Sequence, residues 1–272
     1  MRHISWALTA VAAIAGLSAC SAHASVPKDL HYVALGDSYA AMGSQAELID
    51  PDDSCLVTAD GYPELLAAAW DVSDFANTTC QGAVTADVVD MDEDPDAPFQ
   101  IDAVNEDADV VTLTIGANDV SAIDVGLCFD SDPAEPCESH YGDIAARQFD
   151  ALPGLLDQVY AEIHQRAPHA RVLATGYLPL IVEGDECAAL DDLAVSDTSW
   201  LAEETVRLND EVRRAAERNG ATYVMPDHAE QHSGCSTDPW TDFTGEEEGS
   251  YPMHPTPDGQ RAMADALAAT LQ

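Results

Sequence analysis

The feature that most constrains the fold is a continuous, largely β-branched run, Val110–Ile115 (VVTLTI), which stops at Gly116. A strand with one wet face alternates apolar and polar residues. A run without that alternation implies burial on both faces, as in a parallel sheet covered by helices. His31–Leu35 (HYVAL) also ends at a glycine, Gly36, and Arg171–Thr175 (RVLAT) and Thr222–Met225 (TYVM) read as two further strands. A weaker strand is predicted near Val72–Ala76. Between the strands the spacing turns helical. Tyr62–Trp70 (YPELLAAAW) reads as a helix, and Arg147–Arg166 places Phe149, Leu152, Leu155, Leu156, Val159 and Ile163 at helical intervals. Trp200–Arg218 puts Leu201, Leu208, Val212 and Ala215 on one face and stops at Asn219-Gly220. Asp258–Leu271 closes the chain as an Ala-rich helix. Strands separated by helices imply βαβ crossovers. No repeat and no Gly/Ser or Pro linker divides residues 25–272, so one α/β domain is expected, with loops at 50–60, 124–142, 183–198 and 226–253.

Residues 4–19 (ISWALTAVAAIAGLSA) are apolar and follow Met1-Arg2-His3. They fall short of the about 20 residues a membrane span needs, and small residues follow, so residues 1–24 read as an export signal with a short tether. Two cleavage readings stand side by side. Leu17-Ser18-Ala19-Cys20 resembles a bacterial lipobox, which would leave Cys20 lipidated and the protein anchored at the cell surface. Ala22-His23-Ala24 fits ordinary A-x-A cleavage and a freely secreted product. Either way the location is extracellular. Of seven cysteines, Cys20 lies in this segment, leaving Cys55, Cys80, Cys128, Cys137, Cys187 and Cys235 in the body. An even number suits an oxidising compartment, and the sequence alone does not choose among the pairings.

Fifty acidic residues against ten basic ones give a formal charge of −40. Such a surface repels phosphate backbones, which excludes nucleic acid as a partner. A chain that is 46% hydrophobic, with its acids interspersed among periodic apolar runs, is not disordered. Lys28 is the only lysine, and this acidic, lysine-poor shell resembles that of proteins adapted to high salt. Residues 90–96 (DMDEDPD) faintly suggest a calcium loop. However, Pro95 stands where glycine is required, and Ile101 stands where the closing Glu would be.

The chemistry lies at strand ends, where open parallel sheets bind ligands. In Tyr32–Ser44 (YVALGDSYAAMGS) a strand runs into Gly36-Asp37-Ser38, placing Ser38 in a turn or at a helix start. A nucleophile and half an oxyanion hole fit there, and so does an ordinary serine cap. In Val111–Ser121 a second strand presents Asn118 and Asp119 at the same edge, as an oxyanion donor or as an Asn-Asp turn. Gly82 could bring a backbone N–H close to a ligand. His254 precedes Pro255 and Pro257, which stiffen the approach to the last helix.

Together GDSY at 36–39, Gly82 in CQGAVTADV, GAND at 116–119 and HPTPDG at 254–259 resemble the four blocks of the SGNH (GDSL-type) hydrolases. The resemblance covers nearly all of the chain beyond the export signal. It implies a flavodoxin-like three-layer α/β sandwich with a central five-stranded parallel sheet. It assigns Ser38 as nucleophile and His254 as its base, with the N–H groups of Ser38 and Gly82 and the Asn118 amide as oxyanion hole. No metal or organic cofactor is implied. The segment Cys235-Ser236-Thr237-Asp238-Pro239-Trp240 is similar to one in secreted actinobacterial lipases of the family, and that similarity implies Cys55–Cys80, Cys128–Cys137 and Cys187–Cys235 disulfides.

One position departs from the family pattern. Most members carry Asp three residues before the histidine to orient it, and here that residue is Tyr251. The backbone carbonyl of Tyr251 is the expected substitute, giving a Ser-His dyad, with Asp227, Asp238 and Asp242 as displaced alternatives. His228, His232 and Cys235 have a spacing a metal could use on a helix, against which Gly234 and the implied disulfide argue. His31, His140, His164 and His169 read as surface or capping residues, Trp200 as core, and Trp240 as either loop packing or pocket lining. The expected protein is a monomeric, exported serine esterase or lipase acting on an acyl ester. A carbohydrate deacetylase of the same family is the alternative, and a non-catalytic surface lipoprotein the more distant one.

Overall fold

The computed structural model describes residues 29–89, 99–129, 135–246 and 249–271. The expected export signal with Cys20, and the acidic run 90–96, lie outside the described residues. In chain order the elements are β1 (His31–Gly36), α1 (Ser38–Ala41), α2 (Tyr62–Trp70), β2 (Asp74–Asn77) and α3 (Thr85–Val88). There follow β3 (Val110–Thr114), α4 (Val125–Phe129), α5 (Cys137–Arg166), β4 (Arg171–Thr175) and α6 (Val195–Arg218). The last are β5 (Thr222–Val224), β6 (Thr241–Asp242), β7 (His254–Pro255) and α7 (Pro257–Thr270). Among the described residues, no helix is long and apolar enough to cross a membrane.

Five strands form one parallel sheet in the order β2-β1-β3-β4-β5, the flavodoxin-like arrangement. The alternation of side chains along β1 explains the three layers. Val33 and Leu35 pack with Val111 and Leu113 against Leu152 and Leu156 of α5 and Leu208 and Val212 of α6. Tyr32 and Ala34 face the other way, onto Leu66 and Trp70 of α2 and Met263 and Leu267 of α7. Both faces of the central strand β3 are therefore dry, as its unbroken run requires. Its threonines are not left unpaired in that environment. Thr112 hydrogen-bonds the Tyr32 hydroxyl at 2.8 Å, and Thr114 bonds the hydroxyls of Tyr62 (2.7 Å) and Thr175 (2.5 Å). Burying one leucine of these layers contributes roughly 1.5–3 kcal/mol.

Most predicted segments fall within a residue or two of the observed ones. The exceptions are helix starts and the two-residue strand β6, which lies inside the expected loop 226–253. α5 begins at Cys137 and α6 at Val195, and α4 occupies Val125–Phe129, so the expected loops 124–142 and 183–198 are partly helical. For the helix starts the cause is tertiary. Residues 137–146 lack a strong apolar stripe, but Cys137 is buried and disulfide-bonded to Cys128, and its N–H donates to the buried Asp197 at 2.7 Å. Five of the six periodic residues of α5 are buried, and Leu155 is half-buried. All three implied disulfides are present: Cys55–Cys80, Cys128–Cys137 and Cys187–Cys235.

Candidate active site

At the carboxyl edge of the sheet, β1 ends at Gly36 with φ +146°, and a Cβ there would lie 2.5 Å from the Thr114 carbonyl oxygen. Only glycine lets β1 and β3 approach so closely. The Gln100 amide closes this end, accepting from Gly36 N–H at 2.7 Å and donating to Gly36 C=O at 2.9 Å. Asp37 N–H then donates to Thr114 C=O at 2.9 Å, and α1 begins at Ser38. The Asp37 carboxylate caps that helix by accepting from Tyr39 N–H at 3.0 Å. Ser38 N–H is one of the first-turn donors for which a helix supplies no acceptor.

Two neighbouring loops are stitched to this one. Cys80 N–H donates to Gly36 C=O at 3.0 Å, and the chain turns at Gly82 with φ +72°. Among the described residues nothing stands within 4 Å of a Cβ built on Gly82, so glycine is required there by the turn and not by crowding. Beyond β3, the Asn118 side-chain amide donates to Ala83 C=O at 2.9 Å. The Asp119 carboxylate accepts from Thr85 N–H at 3.0 Å and its hydroxyl at 2.5 Å. From a third loop, after β4, the Tyr177 hydroxyl donates to Asp37 Oδ2 at 2.6 Å and accepts from Ala117 N–H at 3.0 Å. Burial pushes the Asp37 carboxyl up from 3.8 to about 7, against the pull of the Tyr177 and Tyr39 hydrogen bonds.

His254 arrives by a different route. It is the first residue of β7, paired with Asp242 of β6 in a short antiparallel ribbon. Thr256 N–H donates to Trp240 C=O at 2.9 Å, and the Thr256 hydroxyl caps α7 by accepting from Gly259 N–H. Met253 adopts φ +62°, its N–H donates to Asp242 C=O at 2.7 Å, and its carbonyl accepts from the Tyr39 hydroxyl at 3.2 Å. The orienting group is a backbone carbonyl, but one residue away from the expected one. His254 Nδ1 lies 2.6 Å from Pro252 C=O, whereas Tyr251 C=O is occupied by the His254 backbone N–H at 3.2 Å. The left-handed turn at Met253 folds the chain so that the nearer carbonyl meets the ring. A carbonyl only accepts, so Nδ1 carries the proton and Nε2 is left as a base. Burial holds the imidazole below its usual value of 6.5, partly offset by the Pro252 bond and the Asp124 carboxylate.

Ser38, Gly82, Asn118 and His254 line one cleft of about 420 Å³, with Ile123, Leu178, Leu180 and Leu208 as apolar walls. Two of the alternative carboxylates have other partners. Asp242 accepts from Thr244 N–H and the Ser250 hydroxyl, and Asp238 lies beside His232. Trp240 is no part of the cleft lining and stacks flat on His232, with ring centroids 3.9 Å apart. The metal reading loses Cys235 to its disulfide, and His232 Nδ1 lies 2.8 Å from the Asp238 carbonyl. His164 caps α6 through the Asn219 carbonyl, and Trp200 is buried in the core. A second groove of about 480 Å³ runs behind the 179–183 segment, lined by Ile181, Val206 and Met225 and holding none of the four site residues.

Sequence reasoning passed over Tyr177, Gln100, Pro252 and the role of Asp37. Tyr177 had a signal. It stands two residues beyond the end of β4, the same offset Ser38 has from β1.

The sequence profile of the GDSL-like lipase/acylhydrolase family matches residues 34–262. Lipase 2 of Streptomyces coelicolor is 35% identical over 272 residues, covering 92% of this chain and 90% of that protein. A lipase of Streptomyces rimosus is 32% identical over 231 residues, covering 84% and 82%. The crystal structure of the extracellular lipase from Streptomyces rimosus superposes with a TM-score of 0.74 at 29% identity, covering 89% of this chain and 98% of that one. That of phospholipase A1 from Streptomyces albidoflavus gives 0.70 at 30% identity, with the same coverage.

Proposed function

Because the chain belongs to the GDSL-like lipase/acylhydrolase family, we propose that it is an exported serine esterase working through Ser38 and His254. The supporting observation is that one cleft gathers Ser38, Gly82, Asn118 and a histidine whose Nε2 is left free by the Pro252 carbonyl. Ser38 Oγ attacks the ester carbonyl carbon as its proton passes to His254 Nε2. The bond to the alcohol oxygen breaks, and the alcohol leaves with that proton. Water then attacks the acyl-enzyme, giving its proton to His254, which returns it to Ser38 as the carboxylic acid departs. The N–H groups of Ser38 and Gly82 and the Asn118 amide receive the oxyanion in both halves.

The apolar walls at Ile123, Leu178, Leu180 and Leu208 favour an ester with an alkyl chain on its acyl side. Export rests on residues 1–24, and the lipid anchor on Cys20. Turnover of p-nitrophenyl esters from acetate to palmitate tests the reading. Hydrolysis extending to medium or long chains is expected. Cleavage confined to acetate, with release of acetate from an acetylated polysaccharide, would favour the deacetylase instead, and no turnover would refute an esterase.

A further inference from the structure

We propose that Asp37 and Tyr177 are positioning residues that hold the two halves of the oxyanion hole in register. This rests on the reading of Asn118 as an oxyanion donor. A backbone N–H can only donate, so the Tyr177 oxygen accepts from Ala117 N–H at 3.0 Å. Its own proton must then go to Asp37 Oδ2, 2.6 Å away, while Asp37 Oδ1 accepts from Tyr39 N–H at 3.0 Å. The chain runs one way, from the β3 loop through the β4 loop to the β1 loop, and ends on a carboxylate that receives two donors. Each anchored residue immediately precedes a site residue in the sequence: Asp37 precedes Ser38, and Ala117 precedes Asn118.

Tyr177 is itself fixed. The Asn209 amide of α6 accepts from its N–H at 2.7 Å and donates to its C=O at 2.9 Å. The Asn118 amide spends one N–H on Ala83 C=O. Its remaining N–H is aimed by the backbone that Tyr177 holds. Asp37 is 1% exposed, so no water substitutes easily for either bond. A displacement near 1 Å at a reacting centre costs on the order of 10²-fold, and this linkage ties the β1 and β3 loops together through the β4 loop.

A double-mutant cycle tests the proposal on a p-nitrophenyl ester. Tyr177→Phe removes only the oxygen and should lower kcat by roughly 10- to 100-fold, with KM changed less than about twofold. In an Asn118→Ala background the same substitution should cost less than about twofold, because neighbours acting through one group are not additive. Asp37→Asn offers one acceptor where two donors point, and should show the same kcat-selective, non-additive loss. It serves as the measurement if Tyr177→Phe fails to fold. Near-wild-type kcat in Tyr177→Phe, or full multiplication of the costs while Asn118→Ala is itself slow, would overturn the positioning role alone. An Asn118→Ala variant with unchanged kcat would instead overturn the oxyanion reading on which the role depends.

Discussion

The site is built from two unlike halves. Ser38, Gly82 and Asn118 ride on loops that leave three adjacent strands of the parallel sheet, β1, β2 and β3. Those loops are tied together by the buried side chains of Gln100, Asp37 and Tyr177 and by the half-buried Asp119. His254 rides on a two-residue ribbon outside that sheet, held by main-chain bonds from Met253, His254 and Thr256 and by a left-handed residue. On the proposed roles, the difference separates two tasks. Oxyanion donors must match a fixed point in space, and a sheet edge with cross-linked loops supplies that rigidity. A general base needs a free nitrogen and a defined tautomer, which one carbonyl at 2.6 Å provides.

The largest effect should come from the ribbon half. His254→Ala is expected to lower kcat by about 10⁴-fold or more, the scale of losing a hydrolytic base or its carboxylate partner. Asp227→Ala, Asp238→Ala and Asp242→Asn should each cost less than about tenfold, because a carbonyl already holds Nδ1. A collapse of about 10⁴ in any one of these three would identify a triad and break the contrast between the halves.

A smaller effect separates the halves by pH. Asp37 sits at about 7 in the fold against 3.8 unfolded. Its contribution to stability is full below about pH 4 and is lost as pH rises to about 7. His254 is shifted the other way, so its contribution is present above 6.5 and is lost as pH falls below that value. Relative to wild type, the Tm of Asp37→Asn should therefore climb from about pH 4 to 7 and then level. That of His254→Gln should climb as pH drops below 6.5. Parallel curves for both variants would show that the two environments do not differ as described.

The same division governs what the sequence reveals. The sheet half is legible because the parallel strand VVTLTI and the shorter HYVAL announce themselves by composition and end in glycines, which marks Ser38 and Asn118 as edge residues. Tyr177 follows a strand in the same way, yet one tyrosine after RVLATG carries no motif, and its value depends on Asp37 arriving from another strand. The ribbon half is less legible. The need for an acceptor on His254 follows from Tyr251 standing where an Asp is usual. Which carbonyl answers it depends on the φ of Met253, a non-glycine residue for which local preference gives no warning of a left-handed turn. The starts of α5 and α6 were hidden for a related reason, since a disulfide and the buried Asp197 stabilise turns whose own residues form no stripe.

On the proposed reading Ser38 is the nucleophile served by this divided site. The direct measurement is covalent labelling with an alkyl phosphonate ester, followed by peptide mapping of the intact, disulfide-bonded protein. A single phosphonylated residue, Ser38, is expected, with labelling lost in Ser38→Ala and strongly slowed in His254→Ala. Phosphonylation of a different residue, or undiminished ester hydrolysis by purified Ser38→Ala, would contradict it.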